Sequence, residues 1–190
     1  MKPTEQLIEE HVAVKQMLKI MDKVSQKLEA GERVDSRHLD SVIDFIQVFV
    51  DKCHHGKEEG LLFPAMVEAG IPKEGGPIEV MLTEHDLGRR HVKEMVSGID
   101  GYKKDNKTAA SIIAQNARGY TQLLEQHIYK EDNILYPMAD TTLTLDKQSQ
   151  LLEDFEKLEL EVIGVGKHEE LHKTLRFLQN EYLGGPNEIS

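Results

Sequence analysis

The sequence predicts an all-α protein, an up-down-up-down four-helix bundle with an additional C-terminal helical segment. Apolar residues recur at helical spacing through four long stretches of similar length, no stretch alternates with the two-residue period of a strand, and short glycine, proline or capping segments join the stretches. Thr4 can cap a first helix that runs to about Leu28 and stops at Gly31. Asp35 or Ser36 can cap a second reaching about Ala69, with a kink expected at Pro64. Gly75-Gly76-Pro77 presets a third, from about Ile78 to Lys104, because proline suits a first helical position. Asn106 or Thr108 starts a fourth that ends near Pro137. A fifth stretch begins near Asp146, breaks at Gly164-Val165-Gly166, and resumes from Lys167 until Gly184-Gly185-Pro186. Residues 1–140 are thus expected to form the bundle and 141–190 a helical extension packed on it.

The bulk properties narrow the function. Of 190 residues, 39% are hydrophobic and 30% charged, a soluble globular balance, and no apolar run approaches the roughly 18 residues of a membrane span. A net charge of -11 disfavours nucleic acid and anionic lipid as partners. The N-terminus enters a polar helical pattern directly and Cys53 is the single cysteine, so a cytoplasmic location is expected. Oligomeric state is not legible.

A repeat organises the chain. His54-His55-Gly56-Lys57-Glu58-Glu59-Gly60-Leu61-Leu62-Phe63-Pro64 aligns without gaps on His127-Ile128-Tyr129-Lys130-Glu131-Asp132-Asn133-Ile134-Leu135-Tyr136-Pro137, so both read H-x-x-K-E-x-x-(I/L)-L-(F/Y)-P. His11 precedes His54 by 43 residues and His85 precedes His127 by 42. Two helical hairpins related by a pseudo-twofold axis follow. Histidine and glutamate at i and i+4 share a helix face, so His54/Glu58 and His127/Glu131 can each converge on one centre.

The apolar stripes place that centre inside. Ile43, Ile46, Val50, His54, Glu58 and Leu61 form one stripe, while Asp44, Gln47, Asp51, His55 and Glu59 form a polar one expected to face water. In the fourth helix Ile113, Tyr120, Leu124, His127, Glu131, Ile134 and Met138 share the inward face; His11 stands among Leu7, Val14, Leu18 and Met21, and His85 among Ile78, Met81, Val92 and Ile99. Each histidine lies about 18 residues, roughly 27 Å, from its hairpin link, so all six groups should meet at one height. Two glutamates buried together would cost several kcal/mol each or stay protonated, and a pair of dications removes that cost. Nitrogen and oxygen donors without thiolate favour iron or manganese over structural zinc.

The order H, H-x-x-x-E, H, H-x-x-x-E over about residues 4 to 138 resembles the hemerythrin-like, or HHE cation-binding, family. The resemblance implies metal ligation by His11, His54, Glu58, His85, His127 and Glu131, with two iron ions per chain bridged by Glu58, Glu131 and an oxo or hydroxo group. The pattern departs from oxygen-carrying hemerythrins, which have a second histidine where this chain has Arg89 and H-x4-D where it has H-x3-E, and is closer to Repair of Iron Centres-type proteins. The implied function is handling of O2, peroxide or nitric oxide in oxidative or nitrosative stress or in iron-centre repair. The alternative is a non-catalytic module that senses or stores O2, nitric oxide or iron.

Other signals are weaker. His168-Glu169-Glu170-Leu171-His172 matches the H-E-x-x-H zinc motif, but no third ligand stands out, and Leu171, Leu175, Leu178 and Tyr182 give that helix an ordinary packing face. Cys53 reads as a small buried residue rather than a redox thiol, and Tyr120 as core rather than redox tyrosine or extra ligand.

Overall fold

The computed structural model describes residues 1–184; Gly185 and Pro186 of the expected C-terminal stop lie outside the described residues. Six helices follow in order, with no strand among the described residues. We label them α1 (Pro3–Glu29), α2 (36–68), α3 (Pro77–Lys103), α4 (109–142), α5 (145–163) and α6 (Lys167–Leu183). The first four form the antiparallel bundle, and α5 and α6 pack across α1 and α2. No helix is long and apolar enough to cross a membrane.

The ends follow local chemistry with one exception. Asp35 accepts a hydrogen bond from the Arg37 amide, Thr144 accepts one from Lys147, and the Gly164 and Gly166 break has φ of +85° and +84°. Thr4 does not cap α1, which starts at Pro3; its hydroxyl donates to Asp140 at 2.6 Å instead.

Helices α2 and α4 are not uniform α-helix. Phe45–His55 and Glu58–Leu62 of α2, and Glu131–Leu135 of α4, are π-helical, with backbone bonds from i to i+5. A π-turn holds more residues than an α-turn, so the inward face slips along the sequence. Beyond Glu58 the deeply buried residues are Leu62 and Phe63, with Leu61 only partly buried; beyond Glu131 they are Leu135 and Tyr136, while Ile134 is 49% exposed. The straight α-helical stripes through Leu61 and Ile134 are thereby corrected. The helices continue through Pro64 and Pro137, each early in the α-segment that succeeds a π-turn, where a missing N–H is tolerated.

The apolar core is divided in two. One cluster includes Val14, Leu18, Val50 and Leu124 with Leu171, Leu175 and Leu178 of α6; the other includes Leu7, Leu62, Met81 and Leu135 with Leu151 and Phe155 of α5. A buried polar layer separates them. Because α5 and α6 cover the side of α2 opposite the bundle, Phe45, Phe49, Cys53 and Lys57 are buried as well.

The α3–α4 seam relies on close approach. A Cβ on Gly98 would lie 2.9 Å from Ile113 Cγ1 and 3.4 Å from its backbone nitrogen. Gly98→Ala therefore gains about 1 kcal/mol of helix propensity but incurs overpacking of about 1–3 kcal/mol. The expected result is a lower melting temperature, whereas a simple helix-propensity effect predicts a higher one.

Candidate metal centre

All six residues singled out by the repeat meet in the polar layer. His11, His54, His85 and His127 are 1–2% exposed, and Glu58 and Glu131 are fully buried. The rings pair by helical hairpin: His11 Nε2 lies 3.0 Å from His54 Nε2, and His85 Nε2 lies 3.0 Å from His127 Nε2. Glu131 reaches both pairs, at 3.2 Å from His11 and 2.9 Å from His127, while Glu58 is 3.5 Å from His85 and 3.9 Å from His54.

The other nitrogen of each imidazole fixes its chemistry. His54 Nδ1 donates to Glu10 at 2.8 Å, His85 Nδ1 to Glu59 at 2.7 Å, His127 Nδ1 to Glu84 at 2.9 Å and His11 Nδ1 to Asp132 at 2.7 Å. An ionised carboxylate only accepts, so each Nδ1 carries a proton, and each ring, when neutral, aims its Nε2 lone pair inward. The four bonds form a closed ring: α1 holds the histidine of α2, α2 that of α3, α3 that of α4, and α4 that of α1. Each carboxylate is itself held by a cation: Glu10 by Lys57 at 2.5 Å, Glu59 by Arg89 at 2.7 Å, Asp132 by Lys15 at 2.9 Å and Glu84 by Lys130.

These residues were missed by sequence reasoning, although their signal was available. Glu10-His11-x-x-x-Lys15 parallels Glu84-His85-x-x-x-Arg89, and Lys57-Glu58-Glu59 parallels Lys130-Glu131-Asp132. The repeat therefore encodes the orienting partners as well as the six inward groups. Glu59 does not merely face water. His55 is a second correction: it is 5% exposed and stacks on His85 with ring centroids 3.8 Å apart. His54 and His55 are both buried in the π-helical part of α2, as His127 and Ile128 are at the equivalent positions in the α-helical part of α4.

Tyr136, rather than Tyr120, is the tyrosine at the centre. Its hydroxyl donates to Glu58 at 2.7 Å and lies 3.5 Å from His11 Nε2, and its ring stacks on His11. The equivalent residue of the other copy, Phe63, stacks on His85. Tyr120 instead packs against Gly88. His168 and His172 lie at the start of α6, 4.6 Å apart between ring centroids, with His168 beside Phe49; they belong to none of the metal-capable groups found among the described residues.

The electrostatics demand positive charge. Glu58 Oε2 and both oxygens of Glu131 are buried without a hydrogen-bond partner. Two neutral Nε2 atoms 3.0 Å apart would repel unless a proton or an ion lay between them, and that spacing suits two neighbouring corners around one ion about 2.1 Å from each nitrogen. Three metal-capable groups lie here: His11/His54/Glu131, Glu58/His85/Glu131 and His55/His85/His127. The donor set fits iron or another cation.

Protons partly substitute when the ion is absent. Burial and the charge of Glu131 push Glu58 well above the usual carboxylate range, whereas the surrounding imidazoles hold Glu131 well below it despite its burial. Burial alone would lower His127, but Glu131 and Glu84 raise it to about 9. Burial opposes the ionisation of Glu10, yet His54 and Lys57 bring it down to about 2.

Two predictions follow from this balance. Glu58 and His127 hold more protons folded than unfolded, so their stabilisation is lost as pH rises through the folded values. The melting temperature of the apo protein should fall between pH 6.5 and about 9, and added ferrous iron should stabilise more at about pH 7.5 than at about pH 5.5, since metal competes with these protons. Thermal melts at those pH values, with and without iron, measure both effects. Second, Glu10→Gln or Glu84→Gln should weaken metal affinity about 10- to 100-fold, because the amide is uncharged and can turn its NH2 to the ring, so it no longer fixes the tautomer. Unchanged affinity in competition titrations with a chelator would contradict that role.

Comparison with known proteins agrees with this architecture. Residues 2–139 match the model of the hemerythrin HHE cation binding domain. An uncharacterized protein of Mycobacterium tuberculosis strain H37Rv is 24% identical over 152 residues, which are 80% of this chain and 59% of that protein. The iron-sulfur cluster repair protein YtfE of Musicola paradisiaca is 36% identical over 90 residues, covering 45% of this chain and 40% of that protein; its namesake from Pectobacterium atrosepticum is 34% identical over 89 residues, covering the same shares. The chain thus spans well under two thirds of the length of these relatives. No solved structure matches. With the family model covering most of its length and its helices arranged as a bundle around inward histidines and glutamates, the chain belongs to the hemerythrin HHE cation-binding family.

Proposed function

We propose that the chain holds two iron ions, one on His11 and His54 and the other on His85 and His127, bridged by Glu58 and Glu131, and uses them on O2, peroxide or nitric oxide in stress defence or iron-centre repair. The observation that carries this reading is the meeting of four inward Nε2 lone pairs with three unpartnered carboxylate oxygens in one buried layer. When bound, an iron pair supplies two redox-active Lewis acids able to take a small molecule and exchange electrons with it. The protein's own groups do the rest. The carboxylate ring fixes each imidazole, the two apolar clusters exclude bulk water, and the Tyr136 hydroxyl, its oxygen 2.7 Å from Glu58 Oε1, donates a hydrogen bond to that carboxylate. That hydroxyl beside a bridging carboxylate favours chemistry over passive storage. Partial likeness to proteins named for iron-sulfur cluster repair supports the repair assignment, and the thiol of Cys53, raised by burial to about 12, suits a reducing cytoplasm where it stays protonated and inert.

Iron-supplied protein should contain about two metals per chain by elemental analysis. His54→Ala and Glu58→Ala should each abolish stoichiometric binding. Stopped-flow mixing of the diferrous protein with O2, peroxide or nitric oxide then separates the two functional classes: repeated turnover supports the enzyme-like role, and a single reversible binding event supports a sensor. Protein that takes up no transition metal refutes both.

A further inference from the structure

A cleft of about 370 Å³ opens between α2 and α3, walled by Ile46, Gly88, Val92, Val96 and Tyr120, with Asp51, Arg89 and Lys93 at its rim and His55 and His85 at its floor. On the inner side, a void of about 10 Å³, room for about one water-sized molecule, is bounded by Val14, Val50, Leu124 and Ile128 and by His11, His54, His127 and Glu131. His55 is the one residue that lines both spaces.

We propose, building on the metal reading above, that His55 is a gate, and that small uncharged diatomic molecules reach the centre through this cleft when its ring swings outward. Three features support a gate rather than a further ligand. The ring lies nearly parallel to His85, at 16° and 3.8 Å, so although its nitrogen comes within 4.8 Å of those of His85 and His127, its in-plane lone pair cannot aim at an ion lying in the plane of His85. Its tether is weak: Nδ1 lies 3.4 Å from Asp51 Oδ1, an oxygen that also accepts a 2.8 Å bond from Arg89. Finally, the cleft beside His55 is far larger than an imidazole and so offers room for the ring to turn outward. The apolar walls and the small inner void select for a molecule that is small and carries no hydration shell.

Nitric oxide binding to the diferrous protein, followed by stopped-flow absorbance, tests the gate. His55→Ala should raise the association and dissociation rates each about tenfold while leaving Kd within about threefold, because removing a gate changes passage in both directions equally. His55→Phe keeps the barrier without the nitrogens and should retain both iron atoms and the slow rate. Val96→Phe, at the cleft mouth where Val96 is 41% exposed, should slow association without altering iron content or melting temperature. Loss of iron in His55→Phe would make His55 a ligand and overturn the proposal. Identical nitric oxide rates in all variants, with iron fully loaded, would overturn the gate alone; wild-type protein that loads no iron would overturn the metal reading and the gate with it.

Discussion

The ring of four carboxylate–imidazole bonds is the constraint on which this structure depends. Each bond crosses from one helix to the next, so the four helices close around the layer only if all four are at the same height and angle. The consequence is chemical as well as geometric. By taking the Nδ1 protons outward, the ring turns four lone pairs and two carboxylates towards a common centre, an arrangement unfavourable in a desolvated interior without cations. Lys15, Lys57, Arg89 and Lys130 neutralise the outer carboxylates and leave the inner charge uncompensated. A site that binds metal is therefore built from the outside inward.

The π-turns solve a spacing problem. A donor pair at i and i+4 must point to one centre while the helix goes on to bury Leu62 and Phe63, or Leu135 and Tyr136, in the cluster beyond. An α-helix would carry Leu61 and Ile134 inward instead. The extra residue per π-turn resets the facing immediately after each inward glutamate, at the same point of both copies. In α2 a further π-helix runs through His54 and His55, and the interior position next to the inward histidine is held by His55 in one copy and by Ile128 in the other.

The two halves are thus alike in their six inward groups and different around them. Tyr136 brings a hydroxyl to the His11 side, where Phe63 brings only a ring to the His85 side. Lys57 is fully buried between Glu10 and Glu159 of α5, whereas Lys130 is 31% exposed and pairs with Glu84. The C-terminal helices therefore stiffen the surroundings of His54, and the cleft adjoins the surroundings of His85. Two chemically unequal histidine pairs follow from a symmetric repeat.

The sequence by itself determined the all-α architecture, the helix breaks, the duplicated motif and the convergence of His11, His54, Glu58, His85, His127 and Glu131. These are legible because glycine, proline and apolar periodicity act locally, and because a charge-bearing repeat on an apolar stripe has few places to go. Only the tertiary structure decided what each group touches. That Glu10, Glu59, Glu84 and Asp132 orient the histidines depends on which helix lies beside which, and the repeat marks their positions without saying which histidine each one reaches. The burial of Lys57 under α5 depends on where the C-terminal helices pack. The exclusion of Ile134 depends on a π-helical turn, whose i to i+5 bonds are selected by the packing of the whole layer and not by the propensities of the residues that form it.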